Sequence, residues 1–301
     1  MKKTLFLPTL LISEVYHPYC LEKGSTANLI EKLAEDGFYR AVEIGYGYDP
    51  QERKQILTSA EKNNLIVTQW LTSLINEKNL DVSAIEPQKR RESVKQIKES
   101  LYAAAECGAS NIAFISGPDP GVQLRKDAAE SFYQTLSEIC EEATQYNMKV
   151  LVEPLDREAH KKRFLGPTSE AVSLFARVRE SYPNVGFAFD TAHAALNGEN
   201  IYEALELAKP YINQLHFSNA VLDVEHELYG DHHMPIGRPG FLDSETISSI
   251  LWKVEELEIQ ADQGLRVSIE VRGTEKQELH TNEKAVRAVL EKALFTVGIQ
   301  G

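Results

Sequence analysis

The chain has 301 residues, of which 43% are hydrophobic and 26% charged, with a formal net charge of −13. That composition is ordinary for a folded soluble domain and argues against extended disorder. An acidic chain repels a phosphate backbone, so no nucleic-acid partner is expected. No stretch is long and apolar enough to span a membrane.

The start, MKKTLFLPTLL, imitates a secretory leader, but Pro8 interrupts the apolar run and Glu14 soon follows. No clean small-residue cleavage site comes after it. It reads as a first buried strand, about Leu5 to Ile12, and the protein is expected to be cytoplasmic. Ser25 or Thr26 can cap the next helix, which Gly37 ends. AVEIG, 41–45, is the second apolar run, and Asp49-Pro50 opens a polar helix. LIVTQWL, 65–71, comes third, followed by a helix over about 92–106. NIAFISG, 111–117, is fourth, with a helix over about 126–146. KVLVEPL, 149–155, is fifth, and Pro167-Thr168 starts a helix to about Arg179. VGFAFD, 185–190, is sixth, with a short helix over about 201–208. INQLHFS, 212–218, is seventh, with a helix over about 244–258. LRVSIEV, 265–271, is eighth, and a last helix covers about 282–295.

Apolar runs interleaved with helices mean a parallel sheet covered on both faces. Eight such units over about 250 residues predict an α/β fold, a (β/α)8 TIM barrel forming a single domain over residues 1–301. An open doubly wound sheet would often show a Gly-rich turn after its first strand, and none is present. Cys20, Cys107 and Cys140 are widely spaced; Cys107 and Cys140 fall in helical stretches and read as small buried hydrophobes. Two loops exceed the usual length: about 71–92 and 218–243. The second carries Asp231, His232, His233, Gly237, Arg238 and Gly240.

The informative residues sit where apolar strands end. Glu153, Asp190, His216 and Glu270 close strands five to eight, and in a barrel those ends surround one mouth. Three carboxylates at close range repel one another, and burying even one is costly unless it is paired or bound to a cation. Three carboxylates and one imidazole suit one divalent metal ion. Mn2+, Mg2+ or Co2+ fit this oxygen-rich set better than a thiolate-rich site would, and Zn2+ is also compatible.

These residues carry a resemblance. LVEPLD, FDTAH, QLHFSN, GDHHMPIGRPG and VSIEVRG, in that order, resemble the xylose isomerase-like TIM barrel superfamily: sugar and sugar-phosphate isomerases and epimerases, tagatose/psicose-type 3-epimerases, inosose dehydratase and endonuclease IV. The resemblance implies that Glu153, Asp190, His216 and Glu270 hold the metal, and that Glu153 and Glu270 are also the catalytic acid/base pair. It makes His193 a contact to substrate or to a second metal, and Arg238 a substrate-binding arginine. Glu43 matches a polar strand-two position facing substrate, or is a buried ion-pair partner. Trp70 forms an apolar wall against a sugar, or packs in the core. Asp231 and His233 form an Asp-x-His pair like that of endonuclease IV, and with His193 they outline a second metal set; a loop-ordering pair is the other reading.

The chemistry that follows is isomerisation or epimerisation of a sugar or sugar-like polyol ketone. One carboxylate removes the proton beside a carbonyl, a second returns it, and the metal stabilises the enediolate. An inosose-type dehydratase, a lyase, shares this chemistry. An endonuclease IV-like phosphodiesterase is the other alternative, but strands three and four end in Gln69-Trp70 and Ile115-Ser116-Gly117 and supply no histidine. The expected partner is a small carbohydrate, and a homo-oligomer is compatible with the sequence. Arg157, Lys161, Lys162 and Arg163, after strand five, read as a solvated basic loop or a phosphate contact.

Overall fold

The computed structural model describes residues 3–274 and 278–298. Eight strands close a parallel barrel: β1 (Phe6–Leu11), β2 (Ala41–Ile44), β3 (Ile66–Trp70), β4 (Ala109–Ile115), β5 (Lys149–Glu153), β6 (Val185–Asp190), β7 (Ile212–Val221) and β9 (Leu265–Glu270). Each pairs with its neighbour in chain order, β7 pairs with β9, and β9 returns to β1. The remaining strand, β8 (Gly230–Met234), runs antiparallel to the far end of β7.

The helices are α1 (Ile12–Val15), α2 (Ser25–Leu33), α3 (Pro50–Lys62), α4 (Thr72–Glu77), α5 (Pro87–Glu106), α6 (Arg125–Thr144), α7 (Thr168–Arg179), α8 (Thr191–Leu196), α9 (Ile201–Ala208), α10 (Ser244–Glu256) and α11 (Thr281–Thr296). Their buried faces and the outer faces of the strands make one large apolar core. None of the described helices is long and apolar enough to cross a membrane. Cys107 and Cys140 are buried free thiols, as expected, and Cys20 is half-buried.

Local chemistry explains the departures from the sequence reading. Helix α2 has no side-chain cap: Gly24 stands at its N-cap with φ +78°, and Thr26 lies inside the helix, its hydroxyl turned to Tyr48 Oη at 3.3 Å. Helix α5 starts earlier than expected because the Glu86 side chain accepts from Gln88 N and Lys89 N, with Pro87 in the first turn. The two long connections are not structureless. The first contains α4 and the second contains β8.

The barrel interior differs from the outer core. A small apolar cluster of Leu11, Trp70, Ala113, Leu151 and Ala188 fills part of it. Beside it runs a buried polar column. Arg266 Nε donates to Gln214 Oε1 at 3.3 Å, and Asn111 Nδ2 donates to Thr68 Oγ1 at 3.3 Å. Ser268 Oγ donates to Glu43 Oε1 at 2.8 Å. Burial pulls the Arg266 guanidinium down to about 10 against the attraction of Glu43. Alternation along the strands brings Gln214, His216 and Ser218 of β7 to the same face, and likewise Arg266, Ser268 and Glu270 of β9.

Close packing leaves Gly186 of β6 no room for a side chain. A Cβ there would lie 2.1 Å from Asn213 Oδ1 and 2.9 Å from Leu151 Cδ2. Gly186→Ala is therefore expected to destabilise the fold by about 1–3 kcal/mol, read as a lower urea midpoint at unchanged slope. An unchanged midpoint would show that β6 and β7 absorb the methyl group.

Candidate metal and substrate site

Register delivers four side chains to one point. Asp190 pairs with His216 across β6 and β7, and Ser218 pairs with Glu270 across β7 and β9. Glu153 ends β5. Glu153, Asp190, His216 and Glu270 are buried, and each offers one ligand atom within 4.8 Å of all the others.

Each side chain is oriented by a named partner. Asp190 Oδ1 caps α8 by accepting from Ala192 N at 2.8 Å and His193 N at 3.0 Å. That leaves Asp190 Oδ2 buried with no hydrogen bond, and Glu153 Oε1 is in the same condition. His216 Nδ1 faces Glu270 Oε2 at 3.1 Å and Glu153 Oε1 at 3.4 Å. Its Nε2 lies 2.9 Å from Glu43 Oε2, and the imidazole stacks near Trp70 with centroids 5.0 Å apart. Trp70 Nε1 and Gln214 Nε2 also donate to Glu43 Oε2.

Glu43 is thus placed below the mouth, fully buried, and does not line the cavity. The substrate-facing reading of Glu43 gives way to the ion-pair reading, because its four hydrogen-bond partners enclose it. Trp70 does line the cavity. Arg238 does not: it is exposed, since the segment around it folds back on Asn219. Asn219 Nδ2 donates to Pro235 O and Gly237 O, both at 2.8 Å, and Asn219 Oδ1 accepts from Leu242 N at 2.8 Å. The guanidinium groups at the mouth belong to Arg163 and Arg272.

His193, Asp231 and His233 also gather at the mouth. Asp231 Oδ2 lies 3.2 Å from His233 Nε2 and 3.7 Å from His193 Nε2. The three ligand atoms do not all fall within 4.8 Å of one another, whereas those of Glu14, His233 and Glu270 do. Glu14 is already held by Arg272, at 2.6 and 2.8 Å. The basic run after β5 divides. Arg157 is buried on Glu170 and Phe164 O, Lys162 is exposed, and Lys161 and Arg163 line the cavity. Sequence reading gave no site role to Glu14, Asp156 or Arg272. Asp156 and Arg272 lie within the quoted segments LVEPLD and VSIEVRG, but no spacing rule marked them; Glu14 follows β1 on the one-turn helix α1.

Burial and mutual charge shift these groups strongly. Burial pushes the Asp190 carboxyl up to about 8, with Glu270 and Glu153 adding to the effect and His193 opposing it. Burial alone would lower His216, but Glu43, Glu153 and Glu270 hold it well above the usual imidazole range. His193 rises to about 9: burial opposes this, and Asp190, Asp156 and Asp231 outweigh it. Burial would raise Glu270, yet His233 and His216 keep it below the ordinary carboxylate range. Acids and imidazoles in the cluster therefore shift one another in opposite directions.

The mouth cavity measures about 400 Å³ and is lined by Glu153, His216, Glu270, Trp70, Ile115 and Lys161, among others. That lies within the roughly 300–1,000 Å³ range of small-molecule sites. A larger hollow of about 710 Å³ at the opposite end of the barrel is mostly apolar and contains none of the clustered carboxylates.

A sequence profile described as Xylose isomerase-like TIM barrel matches residues 30–292. The chain belongs to this family. No curated protein matches the chain in sequence. Among solved structures, the family barrel superposes on a D-psicose 3-epimerase crystallised in the presence of D-fructose, at TM-score 0.74 and 16% identity, covering 97% of this chain and 100% of the other. It also superposes on the IOLI protein with a bound zinc atom, at 0.69 and 17%, covering 97% and 98%. A family 2 AP endonuclease from Brucella melitensis matches at 0.65 and 18%, covering 90% and 95%. At such identities the likeness is one of fold.

Asn219 links this fold to its mouth. Asn219→Ala removes three hydrogen bonds, one buried and two part-buried, at about 1 kcal/mol each. It should destabilise the protein by about 2–3 kcal/mol and speed protease cleavage between residues 223 and 243. Unchanged cleavage would show that the β7–β8 pairing alone fixes the segment.

Proposed function

We propose that this chain is a metal-dependent isomerase or epimerase of a small sugar or sugar-like polyol ketone. The observation carrying the reading is the convergence of two buried carboxylate oxygens, Asp190 Oδ2 with no hydrogen bond and Glu153 Oε1 with only His216 Nδ1 at 3.4 Å, on Glu270 and His216. A buried carboxylate oxygen so poorly satisfied is costly, and a divalent cation would satisfy both at once. The donor set fits such an ion: three carboxylates and one imidazole whose far nitrogen is held by a carboxylate, Glu43, as metal-binding histidines usually are. Glu153, Asp190, His216 and Glu270 would hold it, and Mn2+ suits the set best, with Mg2+, Co2+ or Zn2+ compatible. When bound, the ion supplies Lewis acidity toward a carbonyl oxygen.

The remaining chemistry belongs to the chain. Glu153 and Glu270 reach the cavity from β5 and β9, so one carboxylate can take the proton beside a carbonyl and the other can return it. Return to the same carbon from the other face is epimerisation; return to the adjacent carbon is isomerisation. Trp70 closes one side of the cavity with an apolar surface. His193, fixed by Asp156 at 3.2 Å, lines the cavity as a hydrogen-bonding group for a substrate hydroxyl. The solved structures of like fold include epimerases acting on D-psicose and L-ribulose, which supports a carbohydrate substrate. A phosphodiesterase reading is weaker, because the mouth positions of β3 and β4 are Trp70 and Ile115 rather than metal ligands.

The test uses Mn2+-loaded protein in deuterium oxide with D-fructose, D-psicose, D-tagatose and L-ribulose. Deuterium should enter the carbon beside the carbonyl of at least one ketose. Glu153→Gln and Glu270→Gln should each slow that exchange by a hundredfold or more. Wild-type exchange rates in both variants would refute the acid/base assignment. Separately, Glu43→Gln should weaken metal binding about 10–100-fold, measured by calorimetric titration; unchanged affinity would show that Trp70 and Gln214 orient His216 without it.

A further inference from the structure

Beside the four-ligand cluster, His193 and His233 face Asp231, and the Lys161 side chain reaches the same carboxylate. Asp231 Oδ2 is buried, while Asp231 Oδ1 takes His233 N at 3.0 Å and Ser218 Oγ at 3.3 Å. Two imidazoles turn their Nε2 atoms toward Asp231 Oδ2. Both are aimed from behind by carboxylates: His193 Nδ1 lies 3.2 Å from Asp156 Oδ2, and His233 Nδ1 lies 3.0 Å from Glu14 Oε2. A carboxylate behind each imidazole is how proteins orient histidines toward a metal. Yet the nearest charge to Asp231 Oδ2 is the Lys161 ammonium, at 3.0 Å, and the same nitrogen is 3.3 Å from His233 Nε2.

We infer that Lys161 takes the place of a second metal ion and keeps the mouth mononuclear. The inference rests on the metal reading above but concerns a different set of residues. An ammonium carries one positive charge on a flexible stem and offers three donors, so it can neutralise Asp231 without drawing in the imidazoles as a metal would. Lys161 lines the same cavity as Glu153 and Glu270, so it also adds positive charge to the wall that a substrate would meet. Lys161 is a positioning residue in this arrangement.

Metal counting tests it. The full chain is stripped, loaded with excess Co2+, desalted and analysed for bound cobalt. The wild type should hold one ion per chain. Lys161→Ala and the length-preserving Lys161→Met should each hold two, and the second ion should be lost again in Lys161→Ala/Asp231→Asn. Two ions in the wild type overturn the inference, as does a failure of both single variants to gain one while their circular dichroism matches the wild type. If the wild type binds none, the four-ligand reading fails on its own. The lysine variants still decide this one: a single ion lost with Asp231→Asn supports it, and none overturns it.

Discussion

A carboxylate without access to solvent, that of Glu43, sits in the middle of the barrel, and the orientation of His216 depends on it. A charge in that position is costly unless it is fully paired. Trp70, Gln214, Ser268 and His216 supply the pairing. Burial would raise the Glu43 pKa, but His216 outweighs it and keeps the carboxyl ionised. The His216 Nε2 contact to Glu43 commits its other nitrogen to the mouth. Arg266 extends the column downward through Gln214, so strand interiors that should be apolar carry a continuous polar path. The path explains why the apolar cluster inside the barrel is small while the core outside is large.

The mouth repeats this arrangement. His193 and His233 are each backed by a carboxylate, Asp156 or Glu14, and each faces another carboxylate in front. Imidazoles placed between acids gain protons. That is why His193, His216 and His233 all lie above the usual imidazole range despite burial. The chain is strongly acidic overall, but its mouth is electrically mixed, with Lys161, Arg163 and Arg272 along the same wall. A local field of this kind governs what the cavity admits more than net charge does.

Much of this was legible in the sequence. Near-continuous apolar runs alternating with amphipathic stretches gave the eight barrel strands, and the polar residue closing each of the last four runs gave Glu153, Asp190, His216 and Glu270. Those signals are local: a strand's buried faces and its terminus are written in its own residues. Glu43 was legible only as a polar residue in an apolar strand, because whether it looks up at a substrate or sideways at His216 depends on long-range pairing. Arg238 was misplaced for the same reason, since Asn219, nineteen positions earlier, decides where its segment points. Lys161 stood in a basic run that reads as one solvated surface. Only the fold shows that its four members part, one buried on Glu170, one in solvent and two at the mouth.

β7 is longer than the other barrel strands. It runs ten residues, past the level where its neighbours stop, and pairs there with β8. One wall of the cavity is therefore sheet, with its backbone cross-linked along its length, whereas other parts of the rim are the short helix α4 and the irregular stretch around residues 157–163. Sheet tolerates insertion and drift poorly, and irregular segments tolerate both. Variation in what the barrel accepts should accumulate on the α4 side, and attempts to redirect specificity by directed evolution would recover their useful changes there rather than along β7 and β8.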